Sequence, residues 1–534
     1  MKKNIEVNNS WQLVLKLLFC ISCPALTLML SRSGEKNIML LALGISFLIG
    51  VFLSFKLFKD KFKKINIFRF AIICYFTNLF LRLIHSYHFG NGFYYDIALW
   101  KLNLISLFAI YALSFISYFL LLKVEKPIIK FFKNFSIKEK KFLLIFSILS
   151  FVFFLVLYNL SGVFYFIPYK GDIWDFIYTT DSFETFGSNA FININSPGND
   201  FGKQPLFGVF SIPFGVLAYF LSNIFFFIPN SYAIFMACIQ AILVGISAIM
   251  LARILNIKNK LLFYGFYLCC FSTILFMLLI EQYIISTFYL ITMIYVYFNM
   301  KKGTNYIYAC GVGTLTTSAF LFPLAAKEKK LKDWFISALK CLAFFLIVVI
   351  LFGQIRFLFE FLLNLFNNVD AFGGGSVTFE NRLQQYLSFV KSIFIEIPGY
   401  IVDESLSKYN HYQYLAVPIY HFSKVGIGIL IITILGFILN RKNKMAIVSF
   451  AWVIFSFIVI GVAGYGTAEM GTNLYGFYFG WAYICLVYMF IDKVLKNDKY
   501  KKIVMIILCL TLLCINIPEF LNIIKFGIKY FPVF

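Results

Sequence analysis

Apolar runs of about twenty residues, repeated along the whole chain and separated by short basic clusters, leave this sequence few possible folds. A helix rising about 1.5 Å per residue needs roughly that length to cross a hydrocarbon core of about 30 Å. Runs with that length lie near 11–30, 37–55, 70–87, 102–122, 142–164, 206–228, 232–255, 261–280, 282–300, 335–353, 424–440, 445–464, 475–491 and 502–519. Only 13% of the 534 residues are charged and 61% are hydrophobic. A water-soluble globule has about a quarter of its residues charged, so lipid is part of this chain's solvent. The shorter alternating segments of a transmembrane β-barrel are not visible. The expected fold is all-α, a polytopic transmembrane bundle of roughly 11–14 helices with re-entrant or interfacial helices and two long outer loops.

The formal charge of +23 is not spread over a continuous basic face, which sets nucleic acid aside as a partner. It falls in seven clusters: Lys56 to Arg69, Lys123 to Lys141, Lys258 to Lys260, Lys301 with Lys302, Lys327 to Lys332, Arg441 to Lys444, and Lys493 to Lys502. Because cytoplasmic loops carry the excess of Lys and Arg, all seven are expected on the cytoplasmic side of the plasma (inner) membrane. The eleven cysteines lie inside apolar runs as small hydrophobes, and the adjacent pair Cys269 and Cys270 has neither redox nor zinc-ligand spacing. No metal-ligating residues are assigned; the cofactor is left open, with a divalent cation such as magnesium or manganese as a candidate that the residues themselves do not support. The run from Trp11 to Leu30 is expected to be a retained first helix, since it lacks a clear small-residue cleavage site.

Charge and hydropathy divide the chain into an N-terminal four-helix group over 1–130, a core over 131–500 and a last transmembrane helix with its tail over 501–534. The long polar stretches of the core, 165–205 and 354–423, are the expected outer loops. Two runs conflict with simple alternation. The run 206–228, which contains Pro213 and Gly215, is expected to lie in the interface or to re-enter. The run 304–324 has lysines on both sides and contains Gly311, Gly313 and Pro323; it is expected to be a broken hairpin, tolerable where protein or water covers its backbone. Ile355 to Val369 has Leu358, Phe359, Leu362 and Phe366 at helical spacing, which predicts an interfacial amphipathic helix.

The richest polar segment is Gly171-Asp172-Ile173-Trp174-Asp175-Phe176-Ile177-Tyr178, directly after an outward run. If helical, Asp172 and Asp175 share a face at i and i+3, so that one can hold a partner while the other takes a proton. The other reading is that outer loops are acidic simply because lysine is excluded from them. Glu281 interrupts the apolar stretch from Leu261 to Met300. An ionisable group there needs a cavity, an interface or a partner, unless Glu281-Gln282 is a solvated turn. Glu469, in Gly466 to Asn473 between two late runs, faces the same outer side or lies in a plain connecting loop.

The order of these features resembles the GT-C superfamily of membrane glycosyltransferases, which use polyprenyl-phosphate-linked sugars. The matching elements span about 142–500. They are the first-loop carboxylate in Gly171 to Tyr178, the Pro205-Leu206 step leading into an apolar helix, the acidic turn Glu281-Gln282-Tyr283 and the Gly311 to Pro323 hairpin. The resemblance implies transfer of a sugar from a polyprenyl-phosphate-linked donor to a glycan or lipid acceptor at the outer face of the membrane. Asp172 would be the general base, with Asp175 and Glu281 beside it. Departure of the lipid phosphate would need positive charge, for which Lys170, Lys203, Arg356 and Arg382 are outer-side candidates, Glu469 completing the binding set. Two alternatives remain. A polysaccharide polymerase or ligase would rely on Arg356, Arg382, His411 and His421 of the late loop, and a transporter or flippase would line a path with intramembrane charges.

Overall fold

A computed structural model describes most of residues 134–533, apart from short stretches of which the longest are 166–175, 300–314, 370–376 and 404–411. Before 134 it describes the run 125–133 and scattered residues, so the apolar runs at 11–30 and 37–55 lie outside the described residues. The chain divides into two compact units, Met1–Lys133 with Leu351–Gly353, and the remainder. In the first, Phe70, Ile73, Cys74 and Tyr118 are buried together and Arg69 pairs with Glu125.

The second unit is built on α1 (Ile137–Leu160), α2 (Ser182–Gly187), α3 (Phe207–Ile224), α4 (Ser231–Ile254), α5 (Lys260–Cys269), α6 (Phe271–Leu278) and α7 (Gln282–Phe298). It continues through α8 (Leu321–Ala325), α9 (Leu331–Leu351), α10 (Ile355–Leu363), α11 (Phe379–Phe394), the strands β1 (Gly399–Asp403) and β2 (Tyr412–Ala416), α12 (Lys424–Leu439), α13 (Lys444–Ser456), α14 (Gly476–Val494) and α15 (Asp498–Tyr530). Among the described residues helices predominate, and the sheet they carry has two strands. Among the described residues seven helices are long and apolar enough to cross a membrane, eight if the bent pair α5–α6 counts as one span. The protein is an all-α polytopic membrane bundle.

Two helices form its centre. α4 is apolar round its whole circumference and 89% of its spanning window is buried; α14 follows at 83%. α1 and α3 pack on α4, while α12 and α13 pack on α14. The peripheral α1 and α15 bury only 22% and 28% of theirs and leave apolar faces to lipid. α12 approaches α14 so closely that a Cβ at Gly436 would lie 2.2 Å from the Leu486 carbonyl oxygen. Small residues permit such backbone contact where no hydrophobic force draws helices together.

Four expectations are corrected. α3 is an unbroken 18-residue helix that contains Pro213 and qualifies as a span, not a broken or interfacial segment. Pro213 is the seventh residue of this helix, past the first turn, so it leaves one interior carbonyl without its N–H yet does not end the helix, and Gly215 lets the helix press against the Phe191 carbonyl oxygen. The run 261–280 is two helices bent by 68°, because Cys270 adopts extended backbone between α5 and α6. The run 502–519 does not end at Pro518: α15 continues for 33 residues, about 50 Å, well beyond the hydrocarbon core. The stretch 354–423 is not all outer loop. Its α11 is buried from Gln384 to Val390, packed against α6, α12 and α14. A helix satisfies its own backbone, so protein cover is enough to sink one this short and polar.

Basic clusters gather at one end of this unit. There Arg253 at the end of α4 and Lys260 at the start of α5 both pair with Glu139 of α1, and Lys258 pairs with Asp498 of α15. Asn440 at the end of α12 donates to the Met489 carbonyl oxygen in the last turns of α14. The opposite end holds the antiparallel β1–β2 hairpin, Gly399 opposite Ala416, and a tie from the Gly162 N–H to the Phe531 carbonyl oxygen.

Candidate functional site

Glu281 occupies the break between α6 and α7. Leu279 and Glu281 are both extended, so the backbone here lacks helical partners. Gln240 of α4 supplies them, its amide Nε2 donating to the Glu281 carbonyl oxygen at 2.8 Å while its Oε1 accepts the Glu281 N–H at 3.3 Å. The Glu281 carboxylate caps α7 by accepting the Gln282 N–H at 3.0 Å, a position where the helix dipole favours negative charge. Glu281 is 0% exposed, which removes the solvated-turn reading. Gln240 lies nine residues past the start of α4, so Glu281 is held about 14 Å along that helix, deep in the bundle.

One turn into α7, Ser286 donates to Gln204 Oε1 at 2.5 Å and to the Gln282 carbonyl oxygen at 3.1 Å. Gln204 thus brings in Lys203. Its Nζ lies 5.1 Å from the centre of the Tyr465 ring, and its carbonyl oxygen accepts the Thr317 N–H. Tyr465 packs on Tyr475 and Tyr475 on Tyr283, with centroids 5.9 and 6.0 Å apart, which returns the network to the residues after Glu281. Tyr465 stands between Gly464 and Gly466, both with positive φ (76° and 78°). Arg382 of α11 fills the space beside Gly464, where a Cβ would be 2.8 Å from its Cδ, and donates Nε to Val377 O and Nη1 to Val462 O.

The structure therefore joins Lys203, Glu281 and Arg382 through one set of contacts. Arg356 stands apart: it is 80% exposed and paired with Glu360 one turn on, although Phe361 of the same helix covers Gly202. Glu469 lies in a 3-10 helix, Ala468–Tyr475, packed against α11. Asp172, Asp175 and Lys170 lie outside the described residues. Around the network, Gln282 Oε1, Thr287 Oγ1, Gln384 Oε1, Gln385 Oε1 and Asn473 Oδ1 are buried with no protein partner among the described residues. Orphaned buried acceptors of this kind cost about 1–3 kcal/mol each, so the interior here suits a polar guest. Among the described residues no three His, Cys, Asp or Glu side chains come together as a metal set.

The described chain resumes at Phe176, just past Asp175, and is immediately tied down. The Tyr178 N–H donates to Tyr414 O and the Tyr414 N–H to Phe176 O, both at 2.8 Å. The anchor beneath is Glu519 of α15. Its Oε1 accepts the Tyr178 hydroxyl at 2.6 Å, the Tyr414 hydroxyl at 2.7 Å and the Gly399 N–H at 2.9 Å. Burial and the Glu519 carboxylate both push the two phenols well above the usual tyrosine range, so they stay donors. One turn earlier, Asn516 donates to Cys269 O and Phe394 O and accepts the Glu396 N–H. Burial raises the Glu396 carboxyl above the ordinary range, and Lys391 acts against it. Sequence reasoning missed Glu519 and Asn516. The signal was a polar pair at i and i+3 closing an apolar run, masked by Pro518.

No protein-family model, curated protein or solved structure matches this chain. Fold and composition define its class, a multi-pass α-helical membrane protein.

Proposed function

We propose that this protein is an integral-membrane glycosyltransferase of the GT-C type, acting on a polyprenyl-phosphate-linked sugar at the membrane face opposite its basic loops. The observation that carries the reading is the fully buried Glu281 carboxylate in one contact network with Lys203 and Arg382. Glycosyl transfer needs these two kinds of charge. A carboxylate takes the proton of the acceptor hydroxyl as its oxygen bonds to the anomeric carbon, while the bond from that carbon to the phosphate oxygen breaks. Cations then stabilise the departing phosphate. In this proposal Asp172 is the general base; six residues after it in the chain, Tyr178 is pinned with Tyr414 to Glu519. Glu281 orients the acceptor or shares the proton.

The test is sugar transfer by the purified protein in lipid, with product followed by mass. Asp172→Asn is expected to lower kcat by about 10²–10⁴-fold, and Glu281→Gln by a smaller factor, with the fold intact. Full activity in both variants would remove the proposed chemistry. A transporter is the second reading, favoured by one observation, the depth of Glu281 within the bundle. Substrate movement across proteoliposomes without a covalent product would select it. The arginine-led polymerase or ligase has less support, since Arg382 directs Nε and Nη1 to backbone carbonyls and Arg356 is already paired.

A further inference from the structure

At the basic end of the second unit the starts of α1 and α5 enclose a pocket of about 300 Å³. Ligand pockets run from about 300 to 1,000 Å³, so this one has room for a small headgroup. Lys138, Lys258 and Lys260 line it, with Asn259, Tyr264 and Glu139. Glu139 does not make the pocket acidic. Its side chain is 2% exposed and closed off by Arg253 at 2.6 Å and Lys260 at 3.0 Å, while its backbone and carboxylate form a capping box with Ser136. The buried carboxylate instead fixes the Lys260 ammonium at the pocket wall. Lys258 is 81% exposed and its partner Asp498 sits at 3.5 Å, a loose pair that water already screens. Four cations (Lys138, Arg253, Lys258, Lys260) thus face two carboxylates (Glu139, Asp498), and the site keeps net positive charge.

The surroundings distinguish a lipid from a free anion. Ile137 is 74% exposed, Leu144 62% and Leu261, itself in the pocket lining, 50%. Leu261 gives the pocket an exposed apolar shelf, and Ile137 and Leu144, seven positions apart, share one exposed apolar side of α1. A charged cup beside an apolar shelf, at the end of a membrane bundle, matches a molecule with an anionic head and an acyl tail. We propose that this pocket binds the phosphate of an anionic phospholipid headgroup, with Lys138 and Lys258 as the contacting cations and Lys260 held in place by Glu139.

The whole protein, purified in mild detergent, would be titrated with phosphatidylglycerol, phosphatidylcholine and inorganic phosphate, and bound lipid read by native mass spectrometry. Phosphatidylglycerol is expected to bind about tenfold tighter than phosphatidylcholine. The double variant Lys138→Glu, Lys258→Glu is expected to erase that preference; both side chains are exposed, so the fold should survive. Lys424→Glu, at the start of α12 and the other end of the bundle, should leave the preference unchanged. Equal binding of the two lipids, an unaltered preference in the double variant, or an equal loss in Lys424→Glu would each overturn the site. Phosphate binding with the same lysine dependence but no lipid preference would overturn the lipid assignment.

Discussion

Glu519 gathers three donors on one oxygen, from Tyr178, Tyr414 and Gly399, and so ties the segment around Tyr178, the β-hairpin and α15 together. Tyr178 is held there with φ of +50°, a conformation that side chains other than glycine adopt only under constraint. Truncation at this point leaves the Tyr414 hydroxyl and the Gly399 N–H without this acceptor, and leaves the Tyr178 hydroxyl to the Ile397 carbonyl oxygen, 2.7 Å away. Glu519→Ala is therefore expected to destabilise the protein by about 2–4 kcal/mol, read as a lower midpoint in thermal unfolding in detergent. Tyr178→Phe, which removes one donor and leaves the acceptor satisfied by the other two, should cost about 1 kcal/mol. An unchanged midpoint in Glu519→Ala would show that the network holds nothing together. The same anchoring predicts that Tyr178→Phe affects transfer less than Asp172→Asn does, because it loosens the segment without removing the proposed base.

Among the elements, the uninterrupted apolar helices were the most legible in the sequence, whether lipid covers them, as on α1, or protein, as on α4. The runs at 142–164, 232–255 and 424–440 fall on α1, α4 and α12 because an uninterrupted apolar stretch of that length has no other stable form in a bilayer. Two of the features that misled, the bend at Cys270 and the sunken α11, lie where protein replaces lipid as the neighbour. Cys270 bends its run although nothing in the letters Leu268-Cys269-Cys270-Phe271 signals a break, since the bend is set by what α6 packs against. α11 carries Gln384, Gln385, Ser388 and Ser392 and therefore reads as loop material, yet all four are buried. Of the candidate site, Glu281 was legible as an ionisable group in an apolar run, while its clamp, Gln240, lies 41 positions away and only folding unites them. Close helix contact gives a test at this scale. The Cβ of Gly436→Ala would meet the Leu486 carbonyl oxygen at 2.2 Å, which forces α12 away from α14. The expected cost is about 1–3 kcal/mol, as for other overpacked interiors. Gly428→Ala, on the same helix with nothing within 4 Å, should be neutral or slightly stabilising.

The whole second unit is polar in the electrical sense. Residues from the clusters at 123–141, 258–260, 441–444 and 493–502 converge on one end, held by the Glu139 pairs, the Lys258 pair and the Asn440 bond. The Glu281 network reaches toward the other end through Tyr475 and Tyr465, where α12, α14 and the 463–467 turn begin. If the positive-inside rule sets orientation, the clusters are cytoplasmic and the network faces outward. Protease-cleavable tags placed after Lys442, after Lys496 and after Val417 would decide the matter in cells carrying the full chain. Protease added to intact cells should cut only the tag after Val417, beyond β2, and protease added to inverted vesicles only the other two. The reverse pattern would put the candidate site in the cytoplasm, where soluble nucleotide sugars compete with lipid-linked donors, and the proposed donor class would have to be abandoned. Cleavage of all three from one side would contradict the bundle itself, because α12 and α14 each separate a tagged basic end from the hairpin end by a full helix length.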